Sequence, residues 1–250
     1  MKIAILTGAS SGLGRAYARW IPEMFPELDE IWLVARRADR LIEIAAQNAR
    51  FKPVPCDLTE EEGFRVLRSR LDEEKPEVLL LVNNAGCGFL GAFSASNEDE
   101  QLRSIDLNVR SLTRLTRLAL DYMPKGGRIL NTSSIASFSP NANMAVYSAT
   151  KAYVTFFSRA LNEEIRLSGR SSTAVCPAPM NTEFLTVGRV TGNSRMFDIL
   201  PYCDVDKVAK GALKAAIKRK PVYTPRLFYR FYRFVSRILP DAILIRMAKA

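Results

Sequence analysis

Short apolar runs at 3–7, 31–35, 51–58, 78–83, 128–133, 172–177 and 222–224 alternate with longer amphipathic stretches along most of this chain. That alternation leaves few folds open. Strand followed by helix at this spacing predicts a doubly wound α/β fold of Rossmann type, with parallel strands, right-handed crossovers and helices on both faces. The run at 78–83 is the most continuous, as a strand buried on both faces requires. The stretches between predict helices at 13–25, with Pro22 disturbing its end, and at 40–49, 59–73, 98–122, 145–167 and 204–218. Thr59 and the three glutamates after it suit the positive end of a helix. A chain of 250 residues accommodates one large domain of this kind, expected at 1–224, with an extension at 225–250.

The sequence contains no histidine. Ser-His-Asp and Cys-His nucleophiles, His-ligated metals and His proton switches are therefore excluded, and acid–base work falls to Tyr, Lys, Asp, Glu or Cys. Cys56, Cys87, Cys176 and Cys203 lack the spacing of a zinc knuckle or redox pair. They read as small buried apolar residues of a reduced compartment. The first apolar run is too short for a signal peptide or a membrane span, so a cytoplasmic protein is expected, with a membrane periphery open to it. The net charge of +10 is unevenly spread: residues 221–250 hold six basic residues against Asp241 alone.

Thr7-Gly8-Ala9-Ser10-Ser11-Gly12-Leu13-Gly14 follows the first strand and opens the first helix. Glycines let the backbone turn sharply and approach a pyrophosphate, which then rests on the free N–H groups of the helix start. The spacing is G-x3-G-x-G rather than G-x-G-x-x-G. At the tip of the second strand, where NAD-binding folds carry an acid for the adenosine ribose, stand Arg36 and Arg37, which suit a 2′-phosphate instead. Arg36 is the main candidate, with Arg37 and Arg15 as helpers, so NADP(H) is the expected cofactor. Further on, Tyr147 and Lys151 are spaced to share one helix face. A free tyrosine has a pKa of about 10. A neighbouring cation stabilises phenolate and makes Tyr147 a usable acid and base. The serines ending the strand before it, Ser133 and Ser134, could set a hydroxyl beside the phenol.

Together with Cys56-Asp57-Leu58, Asn83-Asn84-Ala85-Gly86, Asn108 and Cys176–Thr182, these motifs resemble the short-chain dehydrogenase/reductase family, in its compact single-domain branch, over residues 2 to 224. The resemblance implies a sheet of about seven strands in the order 3-2-1-4-5-6-7 and no metal. It implies that Tyr147 donates and accepts the substrate proton, that Lys151 lowers its pKa and holds the nicotinamide ribose, that Ser134 bonds the substrate oxygen, and that Asn108 holds a water linking Lys151 to solvent. The cofactor would be held by Gly8, Ser10, Ser11, Gly12, Leu13, Gly14, Arg36, Arg37, Asp57 at the adenine amino group, Leu58, Asn83, Ala85, Gly86, Tyr147, Lys151, Pro177, and Thr182 at the nicotinamide amide. The family's usual Pro-Gly is Pro177-Ala178 here, and Ser11 stands where some NADP-dependent members carry a basic residue. The implied chemistry is hydride transfer between nicotinamide and a carbonyl or secondary alcohol, in a homodimer or homotetramer paired through the two long helices. Nucleotide-sugar epimerases share the Tyr-x3-Lys but carry another glycine spacing and a larger C-terminal domain. A non-catalytic NADP(H) sensor or membrane-associated scaffold is the alternative from outside the enzymes.

Beyond Pro225 the resemblance fades. Arg226, Arg230, Arg233 and Arg237 gather on one arc of a helix, and Leu227, Phe228, Phe231, Phe234, Val235 and Ile238 on the opposite arc. Three readings stay open for the apolar arc: packing on the domain or another subunit, lying in an anionic membrane interface, or covering an apolar substrate pocket. Nucleic acid is not an expected partner. The weakly periodic segment 181–204 reads as a lid, and its Phe184, Leu185, Val187, Met196, Phe197, Ile199, Leu200 and Tyr202 join Phe89, Leu90 and Phe93 in suggesting an apolar substrate such as a steroid, a retinoid-like alcohol or an acyl chain.

Overall fold

The first apolar run becomes β1 (Lys2–Thr7), with five of its six side chains buried, because it lies in the middle of a sheet covered on both faces. The computed structural model describes residues 1–189 and 199–247. Around β1 stand β2 (Glu30–Ala35), β3 (Phe51–Pro55), β4 (Glu77–Asn83), β5 (Arg128–Thr132), β6 (Ser171–Val175) and β7 (Val222–Tyr223). All pairings are parallel and the order is β3-β2-β1-β4-β5-β6-β7, as expected. The winding reverses between β1 and β4, which leaves a crevice outside their carboxyl ends.

The helices are α1 (Gly12–Met24), α2 (Ala38–Ala45), α3 (Glu61–Glu74), α4 (Glu98–Ile105), α5 (Leu112–Leu120), α6 (Ala145–Arg166), α7 (Glu183–Val187), α8 (Val205–Ile217), α9 (Leu227–Val235) and α10 (Asp241–Met247). Alternation along β1 sends Ala4 and Leu6 into one buried layer with α1 and α8, and Ile3 and Ile5 into the other with α3, α5 and the far end of α6. Tyr229 of α9 belongs to the first layer, so the extension is anchored in the core.

Two of the boundaries that differ from the sequence reading have clear local causes. The α3 helix starts at Glu61 because Asp57 Oδ1 accepts from the Thr59 N–H at 2.9 Å and its hydroxyl at 2.7 Å, holding that turn outside the helix. The single helix expected at 98–122 is broken by a π-turn, Asp106–Ser111, between α4 and α5. Ser111 Oγ donates to the carbonyls of Asp106 at 2.8 Å and Leu58 at 2.5 Å, an insertion into the helical ladder of the kind that widens a turn. The wide turn carries Asn108, which is buried.

Candidate active site

A cavity of about 640 Å³ occupies the crevice, running from the glycine turn after β1, past the tips of β4 and β5, to the C-terminal helices. Tyr147 and Lys151 lie on its wall one turn apart near the start of α6, both buried. The Lys151 ammonium donates to the Thr132 carbonyl at 2.9 Å and sits 5.7 Å from the centre of the Tyr147 ring. The Phe184 ring of α7 lies 5.6 Å from the Tyr147 ring and closes the other side. Ser134 reaches the cavity and offers the phenol a side-chain hydrogen bond. Ser133 Oγ turns away to the Lys151 carbonyl and Thr155 Oγ1, each at 2.7 Å, as the alternation of strand side chains requires.

Burial decides the protonation of this pair. It pushes the Tyr147 phenol up to about 12, which the Ser134 hydrogen bond partly offsets. It pulls the Lys151 ammonium down to about 8. The depression of the phenol expected from the cation is therefore not what governs it; the loss of water around the ring moves it the other way. Below pH 8 the pair stands as neutral phenol and ammonium, the form that can give a proton to a substrate oxygen.

Asn108 does not line the cavity but braces it. Its Oδ1 accepts from the Cys87 N–H at 3.0 Å, and its Nδ2 donates to the Cys87 carbonyl at 2.7 Å and Thr150 Oγ1 at 3.0 Å. One Oδ1 lone pair remains for a water. A Cβ built on Gly86 would come within 2.9 Å of that oxygen and 3.3 Å of Lys151 Nζ. Nothing larger than glycine fits between them.

At the other end, α1 begins with no acidic residue in its first turn and no capping bond from Ser11, so its N–H groups point unshielded into the crevice. Gly8 and Gly12 hold φ of 66° and 48°, open to glycine at little cost. This cradle fits a pyrophosphate. Gly14 does not line the cavity; a Cβ there would lie 1.9 Å from the Gly8 carbonyl, so this glycine permits the turn itself. Ser10, Ser11, Leu13, Leu58, Ala85, Pro177 and Thr182 all reach the cavity.

The charged end differs in detail from the sequence reading. Arg36 lies 3.6 Å from Asp57 Oδ2, and Arg103 of α4 approaches the same oxygen at 3.6 Å. Arg103 lines the cavity, yet nothing in the local sequence marked it, because only the fold brings α4 to the tip of β2. Arg37 donates to Ser10 Oγ at 3.1 Å and pairs with Glu183 at 2.9 Å, and Arg40 pairs with Glu183 too. Those two guanidinium groups hold the Glu183 carboxyl below its ordinary range. Arg15 pairs with Glu43 at 2.7 Å and lies off the cavity. Asn83 is not brought to the site. Its Nδ2 donates to Asn131 Oδ1 at 2.8 Å and Thr116 Oγ1 at 2.9 Å inside the sheet, while Asn84, one position on, faces the cavity.

The apolar end is built by Phe89, Met144, Phe184, Leu185, Val187 and Leu200, joined by Phe228, Tyr229 and Tyr232 of α9 and Leu244 of α10. Met196 and Phe197 of the expected lid lie outside the described residues. Tyr229 and Tyr232 were hidden in the sequence by the arginines and phenylalanines around them.

A family model described as short chain dehydrogenase matches residues 2–189. Probable oxidoreductase EphD of Mycobacterium tuberculosis is 29% identical over 262 aligned positions, covering 95% of this chain and 43% of that protein. The chain thus spans less than half the length of this relative. The 15-hydroxyprostaglandin dehydrogenase (NAD+) of Homo sapiens is 31% identical over 197 positions, 74% of this chain and 70% of its own. A solved short-chain dehydrogenase from Sphingobium yanoikuyae in complex with NADPH superposes with a TM-score of 0.82 at 30% identity, covering 100% of this chain and 98% of that one.

Proposed function

The chain belongs to the short-chain dehydrogenase family, and from that premise we propose that it is an NADP(H)-dependent oxidoreductase interconverting the carbonyl and secondary alcohol of an apolar substrate, with Tyr147 as proton donor and acceptor. One observation carries the reading: a single cavity joins a pyrophosphate cradle to a buried Tyr-Lys-Ser cluster and then to an apolar chamber.

Gly8, Ser10, Ser11, Gly12 and Leu13 would hold the pyrophosphate, Thr182 the nicotinamide amide and Lys151 the ribose next to it. Arg36 and Arg103 share one carboxylate, Asp57, which leaves a surplus positive charge suited to a 2′-phosphate. The human relative's name points to NAD+ and the Sphingobium complex to NADPH; the paired arginines favour the second. A bound nicotinamide supplies the hydride that a carbonyl carbon takes up on reduction and returns on oxidation. The protein's own residues handle the proton and the position. Ser134 Oγ and Tyr147 Oη hydrogen-bond the substrate oxygen, and Tyr147 passes its proton to that oxygen on reduction. Lys151 keeps positive potential beside the phenol as charge develops there. Asn108 acts as a positioning residue, fixing the Cys87 loop to the second turn of α6.

The test is the absorbance change of NADPH and NADH in parallel with a panel of steroid, aromatic and long-chain aliphatic ketones. Turnover with NADPH that falls at least about a hundredfold in Tyr147→Phe is expected. Turnover that survives in that variant, or tight NADPH binding with no turnover across the panel, would overturn the proposal, the latter in favour of a nucleotide-binding protein.

A further inference from the structure

The α9 helix sits on the body with the opposite side inward from the one its composition suggests. At about 100° per residue, Tyr229, Tyr232 and Ser236 share an arc of about 60°. That arc is the docked one: Tyr229 is buried with its hydroxyl donating to the Pro201 carbonyl at 2.7 Å, and the Tyr232 hydroxyl meets Ser139 Oγ at 2.6 Å. Leu227, Phe231 and Phe234 lie about 160° away on average. They face outward with exposures of 79%, 67% and 61%, and Ile238 in the next turn continues the row at 64%. Ile243 and Ile245 of α10 extend the apolar surface while Leu244 points back into the cavity.

Along α9 the charges beside this surface are all positive, and the one acid of α10, Asp241, stands at its start. Arg226, Arg230 and Arg237 run exposed along the edge of the apolar row, and no acidic residue occurs between Asp206 and Asp241. Arg226 and Arg230 are steadied by the carbonyls of Tyr202 and Thr224, at 2.5 and 3.0 Å, so the edge has a fixed shape. A second copy laid on this face would set like charges against one another. An acyl layer beneath anionic headgroups satisfies both parts: phenyl and isobutyl groups enter the apolar region while guanidinium groups meet phosphate. Among the described residues no helix is long and apolar enough to cross a membrane.

We propose that α9 and α10 seat the protein on an anionic lipid surface, with the apolar end of the cavity behind them receiving its substrate from the lipid. Phe228 belongs to both sides, lining the cavity while 55% exposed. The passage of substrate rests on the oxidoreductase reading above; the docking does not.

The first measurement is sedimentation of the full chain with phosphatidylcholine vesicles, with and without phosphatidylglycerol. Binding that requires phosphatidylglycerol and weakens with salt is expected. It should fall at least about tenfold in the double variant Phe231→Ser, Phe234→Ser, and also in Arg237→Glu, with the thermal midpoint unchanged because these side chains touch little of the body. No binding to anionic vesicles, or binding indifferent to the double variant, would overturn the docking. So would a dimer in ultracentrifugation that this variant alone dissolves, since a second copy would then cover the face. The second measurement compares kcat/KM for a long-chain ketone dissolved in the vesicles with that for a short ketone in water. A selective fall for the long-chain ketone in the double variant supports passage, and an equal effect on both overturns it. A chain that sediments yet reduces no ketone would refute the oxidoreductase reading, and passage with it, while leaving the docking intact.

Discussion

Lys151 Nζ lies 5.7 Å from the centre of the Tyr147 ring, and burial moves their proton affinities apart, the ammonium down to about 8 and the phenol up to about 12. The pH profile of carbonyl reduction should therefore be set by the lysine. We expect kcat/KM to hold steady below pH 8 and to fall as Lys151 loses its proton above it. A rate level to pH 10 would contradict this. Stability carries the same signature with the opposite slope. The folded lysine releases its proton near 8 and the unfolded one near its ordinary value of about 10.4, so between those limits the unfolded chain binds more protons and stability rises with pH. Above pH 10 the raised phenol reverses the trend. Lys151→Met should remove the rise, as read by denaturant unfolding at a series of pH values.

Arg36, in the turn after β2, and Arg103, on α4, meet at one oxygen of Asp57. Arg36→Asp should shift the ratio of kcat/KM for NADPH over NADH by at least about tenfold toward NADH, because it sets a carboxylate where the 2′-phosphate would lie. Arg103→Ala should weaken NADPH binding by a smaller factor and leave NADH unaffected. Equal loss with both nucleotides would show that the arginines only shape the loop.

A Cβ on Gly88 would lie 2.2 Å from Tyr147 Cδ2, so Gly88→Ala must displace either the phenol or the loop beneath it. A misplacement of this size costs on the order of a hundredfold in turnover. Gly88 is not part of the glycine turn, so NADPH affinity by fluorescence titration should stay within about threefold of the parent. If affinity collapsed together with turnover, the loop rather than the phenol would have moved.

Phe156 projects from α6 with 69% exposure, beside Tyr153 at 38%, and Leu102 of α4 stands 49% exposed. We expect a second copy to cover these helices, as the family resemblance implies. Phe156→Arg should then lower the sedimentation coefficient to that of a monomer without disturbing the sheet. An unchanged coefficient would place any self-association elsewhere.

The glycine turn, the Tyr-Lys pair and the order of strands were legible in the chain because each rests on a local rule. A turn that needs positive φ selects glycine, i and i+4 share a helix face, and period-two and period-3.6 patterns mark strands and helices. Asn83 turns into the sheet rather than to the cavity for a related reason. Strand alternation decides which of two neighbouring asparagines faces the crevice, and the end of β4 is where that alternation stops. The π-turn around Asn108 could not be read from spacing alone, since it depends on Ser111 reaching the Leu58 carbonyl of another element. Arg103 likewise became a site residue only when α4 met the tip of β2.

The spacing of residues 226–238 predicted a helix with aromatic and cationic sides, since amphipathicity is a property of spacing, and the structure forms it over Leu227–Val235. It did not determine which side would turn inward. That was decided by the partners within reach, a carbonyl at Pro201, a hydroxyl at Ser139 and the backbone of Thr224, all brought together by elements distant in the chain. Tyr229, which is buried, and Tyr232, which is half-buried, still satisfy their hydroxyls and fit that polar rim better than phenylalanines, which have nothing to offer it. The apolar row was left outside, a choice that spacing and composition leave open.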